Sequence, residues 1–247
     1  MSEAYSALAE AYDALMRDVP YGDFAHQIER LFRYAKRPPH LVLDLACGTG
    51  TLTRLMAERG YEMIGADLSP EMLDVARAKC ADLSCQPVFI CQGMAELDLY
   101  GTVEAAYCCL DSVNYVTDLR ELRRAFARVA LFLEPGGVFV FDIKTRAMFA
   151  AMNGVTSAAE ADACFSVWQY GFDGKSNLGV HIVELFFEQQ GGVYARMTEE
   201  HMQRAYTLET LTDALARAGL TLCGAFDGTT ARRAKNEEGR LFLVARK

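Results

Sequence analysis

From residue 41 onward, short runs of apolar and β-branched residues alternate with stretches whose apolar positions recur every three to four residues. That rhythm predicts βαβ units around a parallel sheet. The first run, residues 41–46, breaks into two glycines separated by one residue, "CGTG". The second, in "YEMIGADL", ends at Asp67, and Ser69-Pro70 then supplies an N-cap followed by proline at the first helical position, predicting a helix through Cys80. "PVFICQ" and "EAAYCCL" give a third and a fourth strand. Asp118 with Glu121 three residues later resembles a capping box, opening a helix with Leu119, Leu122, Phe126, Val129 and Leu133 on one face. "EPGG" stops that helix, and "VFVFDI" forms a fifth strand.

Between residues 144 and 206 the rhythm changes to long strand-like runs, "CFSVWQYGFD", "NLGVHIVELFFEQQ" and "VYARMTEEHMQRAYT", separated by "GKSN" and "QGG" turns. This predicts a three-stranded antiparallel insertion. The parallel pattern resumes where Thr207 caps a helix through Ala218, followed by the strands "LTLCGAF" and "RLFLVAR". The expected fold is therefore α/β: a Rossmann-like, seven-stranded, mostly parallel sheet with helices on both faces, built from residues 1–143 and 207–247. Residues 144–206 form the antiparallel β insertion, a lid over the open end.

Composition narrows the partners. The formal net charge of -8 over 247 residues gives no broad attraction to phosphate backbones or anionic lipid, so nucleic acid and membrane are disfavoured. The start, "MSEAYSALAEAYDALM", has acidic residues where a signal peptide would carry Lys or Arg, and no run of 18 apolar residues occurs, so a cytoplasmic location is the default. Eight cysteines, at 47, 80, 85, 91, 108, 109, 164 and 223, form no CxxC; the four histidines form no HxxxH or HExxH. A metal site is not expected, and the cysteines read as small core residues.

In open α/β sheets a ligand sits beyond the carboxyl ends of the strands, so the "ACGTG" loop should face one. The dinucleotide pattern GxGxxG would need glycine at Ala46 and Thr51, which weakens a pyrophosphate site, although Gly48 and Gly50 still permit a tight backbone turn after Asp44. Asp67, 19 residues after Gly48, is placed to accept hydrogen bonds from two ribose hydroxyls. A nucleoside with a positive charge near an acidic residue fits best, and S-adenosylmethionine is such a ligand.

At this point the chain resembles the class I S-adenosylmethionine-dependent methyltransferases of the small-molecule branch: "VLDLACGTG", "GADLSPEML", "CLDSVNYV" and "LEPGGVFVFDI" match their motifs, and the resemblance covers most of the chain. It implies that backbone around Ala46, Cys47, Gly48, Thr49 and Gly50 cradles the methionine portion and that Asp67 holds the ribose. Leu68 and Met72 then pack near adenine. Many relatives have an acidic residue where this chain has Gly93, so Met94 and Ala95 are left to supply apolar packing and a backbone contact there. Leu110 joins the same site from the fourth-strand motif. The N-terminal "YSALAEAYDALM" looks like the helical cap of small-molecule methyltransferases, with Tyr12, or else Tyr5, reaching the carboxylate end of the cofactor or merely anchoring a helix.

Methyl transfer needs alignment and exclusion of water more than a dedicated base. An amine acceptor must be neutral to attack, and a carboxylate, His or Tyr nearby could take its proton. Asp111, Asn114 and Tyr115 are expected where the acceptor meets the methyl group, unless Asp111 and Asn114 simply fix the loop. The insertion resembles that of glycine and amino-sugar N-methyltransferases in layout; its last strand puts Met197, Glu199, His201 and Gln203 on one face, and His201 and Arg204 are its polar candidates. The expected activity is methyl transfer to N or O of a small molecule by a monomer or homodimer. The alternatives are an RNA methyltransferase, a nucleoside-binding protein without turnover, and a nicotinamide oxidoreductase, which the missing GxGxxG opposes. For RNA the late basic residues Arg232, Arg233, Lys235 and Arg240 are interrupted by Glu237 and Glu238, which favours a solvated loop.

Overall fold

In a computed structural model of the chain, which describes residues 9, 12–161, 164–235 and 239–247, β1 (Leu41–Leu45) lies inside a seven-stranded sheet. On either side of it run α1 (Tyr21–Phe32), α2 (Thr51–Glu58), β2 (Glu62–Asp67), α3 (Pro70–Lys79), β3 (Val88–Cys91) and β4 (Val103–Cys108). The chain continues through α4 (Leu119–Phe132), β5 (Leu133–Lys144) and α5 (Arg146–Met152), and it closes with α6 (Leu208–Arg217), β10 (Thr221–Asp227) and β11 (Arg240–Arg246). The sheet order is β10-β11-β5-β4-β1-β2-β3, with β11 antiparallel to both neighbours and the remaining pairs parallel. The order reverses between β1 and β4, so the loops after these two strands open a crevice at one edge of the sheet, where such folds take ligands.

The strands are near-continuous apolar runs because both faces are covered. Along β5, Val138 and Val140 pack with Phe24, Ile28 and Leu31 of α1 and Met56 of α2, while Phe139 and Phe141 pack with Phe126 and Val129 of α4 and Leu211 and Leu215 of α6. The caps follow the sequence: Ser69 accepts from the Met72 amide at 3.2 Å, Asp118 from the Arg120 and Glu121 amides, and Thr207 from the Thr210 amide. Leu133 departs from its expected place on the α4 face. It begins β5 and pairs with Val103, so "EPGG" lies within a strand and makes the register irregular there.

The stretch before Thr207 holds four antiparallel strands, not three: β6 (Thr156–Ala161), β7 (Cys164–Asp173), β8 (Leu178–Gln189) and β9 (Val193–Arg204), in that spatial order. The strand absent from the sequence reading, β6, is "TSAAEA", whose alanines and glutamate have weak strand preference; pairing with β7 holds it extended. One face of this second sheet, carrying Val183, Leu185 and Met197, packs on Ala9, Tyr12 and Leu15 and on Met72 and Val75 of α3. The second sheet therefore stands beside the crevice.

Candidate functional site

The loop after β1 turns with Ala46, Gly48 and Gly50 all in the left-handed region, at φ 61°, 53° and 74°. Gly50 is required sterically, because a Cβ there would stand 2.8 Å from Cβ of Ala76 on α3. At Gly48 a Cβ would meet nothing within 4 Å, so the main chain of this loop borders open space. Asp67 closes the turn: its Oδ2 accepts from the Gly48 amide at 2.7 Å and its Oδ1 from the Ser69 amide at 3.0 Å. Burial raises its pKa, opposed by those backbone donors. Behind the loop, Asp44 accepts from Thr53 Oγ1 at 2.5 Å and Tyr107 Oη at 2.9 Å, and burial pushes it up to about 7 against these donors.

The open space is a cavity of about 580 Å³. One end is bounded by residues 46–49, by Asp67, Leu68 and Met72 at the start of α3, and by Gln92, Gly93 and Met94. The other end is bounded by Cys109, Leu110 and Ser112 after β4, by Tyr115 and by His201 of β9, with Tyr12 also on the wall. His201 and Tyr115 meet edge to face, 5.9 Å between ring centres. Asp44, Asp67 and Glu71 line the cavity, and no Lys or Arg does among the described residues. Acidic walls of this kind suit a cationic ligand, and among the described residues they carry no side-chain cation to neutralise a pyrophosphate. Tyr12 is buried deeply enough that its phenol is pushed well above the usual tyrosine value, with Tyr21 and Tyr115 adding to the effect.

Of the residues expected from the sequence, Tyr12, Asp44, Ala46, Cys47, Gly48, Thr49, Asp67, Leu68, Met72, Gly93, Met94, Leu110, Tyr115 and His201 border this one cavity. Gly50, Ala95, Asp111, Asn114 and Arg204 are not on its wall. Gly50 packs on α3, and Ala95 is buried in the turn Met94–Glu96. Asn114 donates to the carbonyls of Lys144 and Arg204 and accepts from the Lys144 amide, and so ties β5 to β9. Arg204 donates to the carbonyls of Thr117 and Ser176.

Asp111 centres a buried ion cluster: Lys144 Nζ is 2.9 Å and Arg240 Nη2 2.7 Å away, Gln203 Nε2 donates at 2.7 Å, and Arg240 also reaches Asp142. Burial works to raise the Asp111 pKa, but Lys144 and Arg240 outweigh it and hold the carboxyl below its ordinary value. At Asp142 burial wins over Arg240 and the value is raised. Beside the cluster Leu110 and Asp111 lie in the left-handed region, φ 59° and 53°, a conformation that costs about 1 kcal/mol or more for each non-glycine residue. The loop after β4 is thereby set against the cavity.

Sequence reasoning missed Tyr21, Thr51, Leu52, Glu71, Gln92, Cys109 and Ser112 on the cavity wall, and read Ser69 and Pro70 there only as the start of a helix. It also missed a clasp behind the β1 loop, where Asp13 accepts from Thr49 and Thr51 and pairs with Lys79 at 2.5 Å; no local pattern announces partners 36 to 66 residues apart. Tyr5, Glu237 and Glu238 lie outside the described residues. Of the late basic residues, Arg240 is occupied by Asp111 and Asp142 and Arg232 by Asp227. All eight cysteines are free thiols, Cys108 and Cys109 buried.

Comparison with known proteins agrees with this geometry. Residues 42–137 match the family model of a methyltransferase domain. YqeM of Bacillus subtilis (strain 168), named as a methyltransferase, is 33% identical over 98% of this chain and 97% of its own. The crystal structure of an S-adenosylmethionine-dependent methyltransferase from Clostridium acetobutylicum ATCC 824 superposes with a TM-score of 0.86 at 29% identity, covering 98% of both chains. A third similar protein is the dTDP-3-amino-3,4,6-trideoxy-alpha-D-glucopyranose N,N-dimethyltransferase of Streptomyces venezuelae, 34% identical over 54% of this chain and 56% of its own.

Proposed function

Because the chain belongs to the S-adenosylmethionine-dependent methyltransferases, we propose that it methylates nitrogen or oxygen of a small molecule bound at the Tyr115 and His201 end of the cavity. The observation that carries this reading is the continuity of that cavity from the loop after β1 to the inner face of β9. When bound, the cofactor supplies a methyl group already activated by a positive sulfur. Asp67 and the main chain at residues 46–49 hold it, Leu68 and Met72 cover its base, and Tyr12 stands over its amino-acid portion. The second sheet walls off water on the acceptor side, which raises the weight of every charge inside. Tyr115 and His201 orient the acceptor, and His201 is the group placed to take its proton. Asp111, Asn114 and Arg204 act at one remove, by fixing the loop after β4 and the end of β9.

Nitrogen is the better acceptor atom, since an N,N-dimethyltransferase acting on an amino sugar is among the similar proteins. Acidic walls with no Lys or Arg among the described residues suit an amine more than an acceptor carrying phosphate. The test is a panel of small amines, phenols, alcohols and sugar nucleotides with S-adenosylmethionine, read by release of S-adenosylhomocysteine. Turnover with amines or hydroxyl compounds is expected. Binding of S-adenosylhomocysteine without turnover on any of them, or turnover on RNA alone, would overturn the reading.

A further inference from the structure

Glu199 is a buried acid with too few partners. On β9 it lies between Met197 and His201 on the face turned toward the cavity, opposite Val183 of β8, and is 5% exposed. Neither carboxylate oxygen receives a well-directed hydrogen bond among the described residues. Among the described residues its ion-pair neighbour is His201, whose Nε2 stands 3.0 Å from Oε2. A buried carboxylate short of hydrogen-bond donors calls for an explanation, and a charge kept for a neighbouring group is one.

The surroundings say which neighbour needs it. His181 lies directly across the strand pair from His201, and burial, followed by the charge of Lys144, pushes it down to about 4, so it stays neutral near neutral pH. His201 differs in reaching the cavity wall, with Glu199 behind it and the Tyr115 ring edge-on. Among the described residues, Asp111 and Lys144 also act on His181, and both are paired within the cluster that Arg240 and Asp142 complete. An imidazole on the wall with a carboxylate behind it is the arrangement in which the ring takes a proton while the acid fixes its tautomer and offsets the charge that appears.

We propose that Glu199 is a positioning residue that holds His201 with its Nε2 proton toward the carboxylate and so makes the other ring nitrogen the proton acceptor for an amine substrate. This rests on the methyl-transfer reading above. The amine lone pair forms the new N–C bond and the electron pair of the C–S bond returns to sulfur, cancelling its positive charge. The N–H proton passes to His201, giving an imidazolium held by Glu199, and is later lost to water.

The experiment combines imidazole ¹⁵N NMR of the whole protein with kinetics of Glu199→Gln, the His201 signals being identified by their loss in His201→Gln. Wild-type protein should show neutral His201 protonated at Nε2. In E199Q the carboxamide can donate to that nitrogen, and the proton should move to the other one. With the best amine of the panel, kcat of E199Q should fall about 100-fold, the lower end of what a general base contributes, while affinity for S-adenosylhomocysteine is unchanged. A wild-type tautomer protonated on the other nitrogen, or an E199Q protein with wild-type tautomer and kcat, overturns the proposal. The wild-type spectrum needs neither turnover nor a folded variant, so it decides separately from failure of the amine panel.

Discussion

Replacing Arg240 by Met tests whether one guanidinium keeps two buried carboxylates compatible with folding. Arg240 bridges Asp111 and Asp142, whose side chains are 9% and 0% exposed, and its own is 22% exposed. Met preserves much of the aliphatic stem beside Phe24, over whose ring the guanidinium sits at 5.7 Å, so the change is chiefly electrostatic. Lys144 still serves Asp111, but among the described residues the side chain of Asp142 is left with the Asp111 amide, at 3.0 Å. Removing one partner of a buried pair costs about 3 to 5 kcal/mol. At about 2 to 4 °C per kcal/mol in a protein of this size, Tm should drop by about 6 to 20 °C near pH 7.5. The sign with pH follows from Asp142. Its folded-state pKa, already raised, rises further without Arg240, so the variant keeps stability at low pH and loses it as pH rises through that value. The deficit against wild type should therefore shrink between pH 7.5 and pH 5. The double variant R240M/D142L, which removes the orphaned charge, should recover at least half of the loss. Calorimetric melts across this pH range decide it: an R240M Tm within 2 °C of wild type throughout, or a deficit that grows on acidification, would refute the reasoning.

Asp67→Ala should weaken S-adenosylhomocysteine binding by about 1 to 3 kcal/mol in titration calorimetry, the effect of leaving buried polar partners unmatched; unchanged affinity would remove the ribose assignment. Gly50→Ala forces a Cβ to 2.8 Å from Ala76 at φ 74° and should lower stability by about 1 to 3 kcal/mol in denaturant titration, whereas Gly48→Ala, with no such neighbour, should lose less. His181 is held neutral down to about 4, so the unfolded chain binds more protons between pH 6.5 and 4 and stability falls as pH drops through that window. His181→Phe should flatten that slope in melts recorded from pH 7 to 4.5, and an unaltered slope would show that another group carries it.

What the sequence made legible was local. Strand and helix succession, the caps at Ser69, Asp118 and Thr207, and the left-handed turn at Gly48 and Gly50 each follow from neighbours within a few residues. So does the face shared by Glu199 and His201, a matter of strand period alone. The remainder depends on partners distant in the chain. Asp111 reads as an acid at the acceptor end until Arg240, 129 residues on, is seen to hold it; Asn114 and Arg204 likewise turn to backbone carbonyls that folding brings near. Strand β6 escaped notice because its residues argue against a strand and only β7 holds it there. Period gives the face of Glu199, but which donors reach its carboxylate depends on the fold, which a one-dimensional pattern does not encode.

The crevice is made of two materials. At the β1 end it is main chain in unusual torsions, closed by one carboxylate, and side-chain identity matters there mainly through what glycine permits. At the far end it is side chains, those of Cys109, Leu110, Ser112 and Tyr115 after β4 and of His201 on β9 of the second sheet. On the proposed reading, drift in the loop after β4 and at the His201 end of β9 would rewrite what is methylated while the methyl source stays fixed, and transplanting those two segments between relatives becomes a direct way to exchange one acceptor for another.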